Sequence, residues 1–255
     1  MQASLKVAAL ACAGVLAMSS PAFAWNATWL GHAGFLLEAK DGTRVLVDPW
    51  LEGPTFPKGY KLPDRIDAIL VTHGHFDHSG SATALSERYK APIIGAFELT
   101  SQLQPKGGPE GMGGNIGGSV TVKGVTITMI PAVHSSSLGS DDGHPHYAGN
   151  PMGFVLTAAG ERPLLHAGDT GLTQEYLAVK EAHAPAIALL PIGGHFTMDP
   201  RQAAIAARYL GVKDVVPMHY GTFPALKGTP AQLNQALGKS GVKVHTLTPG
   251  KTQKL

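Results

Sequence analysis

Beyond Ala24 the apolar residues come in short runs, rich in Val, Ile and Leu, separated by Gly, Pro, Asp and Asn. Such runs read as buried strands, because a helix would spread its apolar positions at intervals of three and four. The pattern predicts one or two strands over 27–38, a strand over 42–47 that ends in Asp48-Pro49, a buried strand over 67–72 and another over 91–96. Small and apolar residues along one face predict a helix over 79–89, and 97–103 reads as a short helix. The glycine-rich stretch 107–118 reads as a flexible loop, since it lacks the Lys-Ser/Thr pair of a phosphate-cradling loop. Hairpins follow at 119–122 with 125–130 and at 153–157 with 162–166. A helix over 173–183, a strand over 187–191, a strand over 215–218, a helix over 230–239 and a closing strand over 242–247 complete the chain. Between the last two sheet strands before 218, Asp199 caps a helix through Tyr209 with Pro200 at its first position. Strands then a helix, then strands then helices, imply an α/β fold of two sheets with helices outside. No linker or shift in composition divides residues 25–255, so one domain is expected there.

The first 24 residues follow a different logic. Lys6 gives a positive start, Val7 to Met18 an apolar stretch, and Ala22-Phe23-Ala24 a small-residue cleavage site. This reads as a secretory signal peptide over 1–24, with a mature chain beginning at Trp25 and destined for the periplasm or secretion. The apolar stretch is too short for a stable membrane span. Cys12 is the only cysteine. It resembles a lipoprotein site only faintly, because apolar residues continue after it. Cleavage leaves a chain with no disulfide and no thiolate for catalysis or metal binding.

Composition narrows the partners. Apolar residues make up 44% and charged residues 15%, with 32 Gly and 19 Pro, which suits a turn-rich enzyme-like domain. A net charge of +2 gives no basic surface for nucleic acid, so a small-molecule substrate is the expected partner. Nothing in the pattern sets an oligomeric state.

The densest chemistry is His73-Gly74-His75-Phe76-Asp77-His78, placed directly after the apolar run Ala68-Ile69-Leu70-Val71. Imidazole and carboxylate are zinc-type ligands. Four of them in one short loop crowd a single ion, so the spacing suggests two metals side by side. A histidine-rich surface loop is the bland alternative. Against it stand His134, Asp169 and His219, each a polar residue just beyond an apolar strand, where a sheet could hold it in place.

These residues, taken in order, resemble the metallo-β-lactamase superfamily. Leu30-Gly31-His32-Ala33-Gly34-Phe35, Asn115-Ile116-Gly117-Gly118, His134-Ser135-Ser136-Ser137, His166-Ala167-Gly168-Asp169-Thr170, Gly193-Gly194-His195-Phe196-Thr197-Met198 and Met218-His219-Tyr220-Gly221-Thr222-Phe223 are similar to a metal-dependent hydrolase family near the ascorbate-6-phosphate lactonases. The resemblance implies a four-layer αββα sandwich with a binuclear site at one edge of its two sheets. It implies that His73, His75 and His134 hold one ion, that Asp77, His78 and His219 hold the other, and that Asp169 bridges them. The lactam hydrolases commonly carry a Cys at the second metal where this chain offers Asp169, which argues against β-lactam hydrolysis. His75 stands where di-iron relatives have Glu, which favours zinc, with manganese and iron left open.

Two divalent ions roughly 3.5–4 Å apart would bring a bridging water toward neutral pKa and supply a hydroxide nucleophile, while one ion polarises the scissile carbonyl or phosphoryl oxygen. Asp77 would also hold the nucleophile. His32 and His195 are expected to contact substrate or a developing oxyanion, and Asp48 either braces a ligand His or only initiates a turn. His166 reads as a buried, hydrogen-bonded histidine. Ser135 and Ser136 are expected to position His134. His144 and His146 lie in a polar segment, 139–147, that reads as a lid or as a solvated loop. The expected activity is hydrolysis of a lactone, ester, amide or phosphodiester. A mononuclear iron oxidoreductase of the persulfide dioxygenase kind and a non-catalytic metal-binding protein are the alternatives.

Overall fold

In the computed structural model, which describes residues 25–139 and 143–255, the short apolar runs pair into two seven-stranded sheets. The signal-peptide reading of residues 1–24 lies outside the described residues. The chain lays down β1 (Asn26–Gly31), β2 (Gly34–Glu38), β3 (Arg44–Val47) and β4 (Ala68–Leu70), then the short helices α1 (Phe76–Ser79) and α2 (Ala82–Tyr89). β5 (Ile93–Ala96), α3 (Phe97–Leu103) and β6 (Met112–Gly114) follow. The second half builds β7 (Ser119–Val122), β8 (Val125–Pro131), a small ribbon of β9 (Ser137–Leu138) and β10 (His146–Tyr147), then β11 (Met152–Ala158) and β12 (Leu164–His166). Next come α4 (Glu175–His183), β13 (Ile187–Pro191), α5 (Pro200–Leu210), β14 (Asp214–Met218), α6 (Pro230–Leu237), β15 (Lys243–Val244) and β16 (Thr252–Lys254).

The sheets run in the orders β16-β1-β2-β3-β4-β5-β6 and β15-β14-β13-β12-β11-β8-β7. Antiparallel pairing on one side of each gives way to parallel pairing of β3 through β6 and of β12 through β15. Alternation along the strands decides which layer each side chain joins. Met129, Phe154, Leu156, Leu189, Val216 and Met218 face the first sheet and pack with Phe35, Leu37, Leu46 and Ile69. Their neighbours Ile130, Val155, Leu190 and Val215 face outward and pack beneath α4, α5 and α6. Leu85 and Leu99 bring α2 and α3 into the first core, so the layers are α, β, β, α. Each fully buried Leu or Phe contributes about 1.5–3 kcal/mol, so both cores together dominate stability. The Asp199 cap is a reciprocal box: its Oδ1 accepts from the Gln202 amide at 2.8 Å while Gln202 Oε1 accepts from the Asp199 amide at 3.1 Å. Thr229 and Gln232 repeat the device on α6.

Three expectations are corrected. The glycine-rich 107–118 segment is not all loop, because Met112–Gly114 pairs in parallel with β5. A Cβ on Gly113 would fall 2.5 Å from Thr100 Oγ1 and 2.9 Å from Phe97 Cα, so glycine is what lets this strand pass under α3. The closing strand shrinks to Lys243–Val244, and the chain crosses back to add β16 beside β1 in the first sheet. The predicted helix from Ser79 breaks after α1 and restarts at Ala82.

Asp214 fastens the second sheet. It is buried at the start of β14 and accepts hydrogen bonds from the Arg162 guanidinium and from His245 Nε2, the latter at 2.6 Å. Burial opposes its ionisation, but those two partners hold its carboxyl below the usual 3.8. The stabilisation is therefore complete above that value and lost as pH falls through the lower folded one. Asp214→Asn is expected to cost on the order of 1–3 kcal/mol in urea unfolding at neutral pH. The gap to the parent protein should shrink as the titration is carried into acid.

Candidate metal centre

Strands of both sheets deliver polar residues to one edge. His73, His75, Asp77 and His78 follow β4, Asp48 follows β3, His134 follows β8, Asp169 follows β12, and His219 follows β14. The His73–His78 turn is held tightly. Gly74 has no room for a side chain, since a Cβ would sit 2.7 Å from Ala148 Cβ. Its N–H donates to Ser136 Oγ at 3.2 Å, that hydroxyl donates to the Ala148 carbonyl, and Ser79 Oγ donates to the Gly74 carbonyl at 3.0 Å. Ser136 thus braces the turn bearing His73 and His75. His32, Asp48 and His219 all have left-handed backbones, with φ of 50°, 46° and 54°. Such non-glycine residues are strained, by roughly 1–3 kcal/mol each, and cluster where function demands a fixed direction.

His73, His75 and His134 form one set whose ligand atoms all lie within 4.8 Å of one another, and His32, Asp77, His78 and His219 form another. Asp169 stands between the sets, its Oδ1 3.4 Å from His78 Nε2 and its Oδ2 3.0 Å from His219 Nε2 and 3.6 Å from His134 Nε2. His73 Nε2 and His75 Nδ1 converge to 2.9 Å.

The donor set fits divalent ions. His78 Nε2, Asp169 Oδ1 and both ring nitrogens of His219 are buried without a hydrogen bond among the described residues, although they lie close together. His78 Nε2 and His219 Nε2, both beside the Asp169 carboxylate and each left without a hydrogen bond, are arranged as ligands of a cation. Asp48 and Asp169 are buried carboxylates with only histidines and hydroxyl or amide groups as partners. Burial holds His73, His75 and His134 below the usual histidine value, so each offers a neutral lone pair at pH 7. His78 goes the other way: burial disfavours its charge, but Asp169 and Asp48 raise its pKa well above normal. Burial likewise opposes ionisation of Asp169, and His78 with His219 overcomes it, pulling its carboxyl well below the usual range. Without an ion, a proton on His78 offsets the negative charge that a metal would otherwise neutralise.

Asp48 sets the tautomers. Its Oδ1 accepts from the Thr72 amide at 2.8 Å, and its Oδ2 accepts from the Thr72 hydroxyl and from His78 Nδ1, each at 2.8 Å. The Thr72 hydroxyl, having donated to Asp48, accepts from His73 Nδ1 at 3.0 Å. Both Nδ1 atoms are thereby protonated, and the Nε2 atoms of His73 and His78 are free to ligate. Of the two roles weighed for Asp48, bracing a ligand histidine is the one the geometry has.

His32, expected to contact substrate, lies among the candidate ligands themselves. It is buried in the second set, with Nε2 3.0 Å from Asp77 Oδ2, Nδ1 2.8 Å from Thr222 Oγ1 and its ring centroid 3.9 Å from that of His219. Burial lowers its pKa to about 4, so it is neutral at pH 7. Burial works against the Asp77 carboxylate, but the hydrogen bond from His32 brings its pKa down to about 2. His195 lies on the same edge but outside both sets. It is exposed, has a left-handed φ of 59°, and lines a cavity of about 840 Å3 between α5 and α6 with Arg201, Arg208 and Lys227. His166 is buried as expected, with Nε2 2.9 Å from the Ala33 carbonyl.

Comparison with known proteins returns to the same chemistry. The profile of the Beta-lactamase superfamily domain matches residues 43–220. A UPF0173 metal-dependent hydrolase of Myxococcus xanthus is 48% identical over 233 residues, covering 89% of this chain and 82% of that protein. A second, from Methanopyrus kandleri, is 42% identical over 229 residues and covers 88% and 97%. Among solved structures, Igni18, a metallo hydrolase of Ignicoccus hospitalis, aligns with a TM-score of 0.79 at 36% identity, covering 91% of this chain and 98% of that one.

Removing the brace tests the tautomer argument directly. Asp48→Asn is expected to weaken metal binding about 10- to 100-fold in competition with a chromophoric chelator, at unchanged secondary structure by circular dichroism. Undiminished affinity would mean that Asp48 does not orient His73 and His78.

Proposed function

Because the chain belongs to the beta-lactamase superfamily, and within it to the UPF0173 metal-dependent hydrolase family, we propose that it hydrolyses a small-molecule substrate at a pair of divalent ions. His73, His75 and His134 would hold one ion, Asp77, His78 and His219 the other, with Asp169 shared. The observation that carries this reading is Asp169, whose Oδ2 lies 3.6 Å from His134 Nε2 of one set and 3.0 Å from His219 Nε2 of the other, with Oδ1 3.4 Å from His78 Nε2. Zinc suits a set of imidazole and carboxylate donors without thiolate, and manganese or iron would also bind it. When bound, such ions supply an acidic water and a Lewis acid for a carbonyl or phosphoryl oxygen.

The chain's own residues define the rest. Residues 25–255 contain no cysteine, and the Ser136 hydroxyl is committed to Gly74 and Ala148, so water is the nucleophile. Asp77, kept a carboxylate at neutral pH by the hydrogen bond from His32 and partly open to solvent, is placed to hold that water through a hydrogen bond as well as to ligate. His32 fixes Asp77 through Nε2–H while Thr222 fixes His32. A lactone, another carboxylic ester or amide, and a phosphodiester all fit this chemistry. Asp169 in place of a metal-binding cysteine argues against β-lactams. The signal-like residues 1–24 support action in the periplasm or outside the cell.

The test is elemental analysis of the purified protein together with a hydrolysis screen over lactones, phosphodiesters and thioesters. Near two equivalents of zinc or manganese are expected, and one iron with oxygen uptake would overturn the proposal. Asp169→Ala should lose both metal occupancy and hydrolysis, the latter by on the order of 10³-fold or more. His195→Ala should keep both ions and slow turnover by on the order of 10-fold.

A further inference from the structure

Three of the large apolar side chains that remain exposed are not scattered. Phe76 and Val133, exposed at 64% and 57%, adjoin His75, Asp77 and His134 in the chain, and Phe196, exposed at 53%, lies in the loop of His195, which carries no residue of either set. Phe97 starts α3, Ile116 follows β6, Tyr147 lies in β10 and Leu177 is in the first turn of α4. Among the large exposed hydrophobics of the described residues, Phe76, Val133 and Phe196 are those on segments beside the candidate centre. A patch of this kind marks a surface that something apolar covers.

Its relation to the ligands says what that is. His73, His78, Asp169 and His219 are buried, and only His75, Asp77 and His134 reach solvent. Phe76 lies between His75 and Asp77 in the chain, and Val133 directly precedes His134. Phe76 is propped edge-on against Trp50, with ring centroids 5.5 Å apart, and Trp50 continues the wall to His32 and Phe223. On the opposite side, the Val133 amide donates to Thr170 Oγ1 and the Met198 amide to the Thr170 carbonyl, both at 3.0 Å. The loop bearing Phe196 is thus tied to the residue after Asp169. Phe76 and Val133 thus stand beside the solvent-reaching ligands His75, Asp77 and His134 in the chain, and the Phe196 loop is joined to Val133 through Thr170.

We propose that Phe76, Val133 and Phe196 form an apolar collar at the mouth of the metal centre, and that the substrate carries an aliphatic or aromatic group beside its scissile bond. This rests on the hydrolytic reading of the site, so its test includes a measurement free of turnover. Straight-chain carboxylates from acetate to octanoate, titrated calorimetrically into the metal-loaded protein, serve as probes. Each added methylene is expected to tighten binding roughly 3- to 4-fold until the collar is filled. In the double variant Phe76→Ser/Phe196→Ser the gain should fall below about 1.5-fold per methylene. Leu177→Ser, whose chain neighbours include no ligand, should keep the full slope.

Kinetics on 4-nitrophenyl esters of the same acids should give the same order in kcat/KM. If binding follows chain length while no ester is cleaved, the collar stands and the hydrolytic reading fails. If affinity is flat from acetate to octanoate, or the slope survives in the double variant, the collar is wrong. It is equally wrong if sedimentation finds a dimer that the double variant dissociates, because a second copy then covers these residues.

Discussion

Asp48 is the constraint on which the rest of the centre depends. One carboxylate, wholly buried, fixes His78 directly and His73 through the Thr72 hydroxyl, so a single side chain orients a ligand of each set. It can do so only because the chain leaves β3 in a left-handed conformation that turns the side chain back toward β4. The strain there is small against the alternative. Two buried imidazoles with unassigned tautomers would each be a donor as often as an acceptor, and a cation needs acceptors. The parallel pairing of β3 with β4 is what places Asp48 and Thr72 side by side, so fold and ligand chemistry meet at this pair.

Electrostatics then sets the order of importance among the residues. Buried carboxylates are costly unless positive charge accompanies them. Asp48 and Asp169 lie deepest, and both press a proton onto His78, which stands between them. Asp77 is nearer the surface and is kept ionised by His32 instead. The inner carboxylates therefore draw positive charge to the centre, while Asp77 is the one of the three that reaches solvent. The division follows from depth and partners rather than from residue type.

Much of this was legible in the sequence, for definite reasons. Strands such as 187–191 and hairpins such as 119–130 are read from apolar runs and turns, and the burial alternation across β8, β11 and β14 is the same signal in three dimensions. The His73–His78 cluster is local, so its spacing carries its meaning. β6 was hidden because glycine, needed for close approach to α3, mimics a loop, and β16 because a polar edge strand has no apolar pattern. The depth of His32 was hidden for a different reason. Its partners Asp77, Thr222 and His219 are distant in sequence; pairing within the first sheet brings Asp77 to it, and the stacking of the second sheet brings His219 and Thr222. The second role of Ser136, on Gly74 rather than His134, is a contact of the same long-range kind.

The centre thus divides between rigid and variable parts. His73, Asp169 and His219 follow buried strands in the sheets, where neighbouring pairs leave no freedom to shift. Phe76, Val133 and Phe196 sit on the turns just beyond, exposed and constrained mainly by hydrogen bonds of the backbone around them. A change at the strand ends or in the His73–His78 turn would disturb metal geometry, whereas the side chains of Phe76, Val133 and Phe196 are themselves no ligands. His195 belongs to this outer layer, since it faces the cavity between α5 and α6 and no ligand of the centre. The sheets thus fix the strand-end ligands, the His73–His78 turn fixes the rest, and the exposed side chains beside them offer a surface for selection.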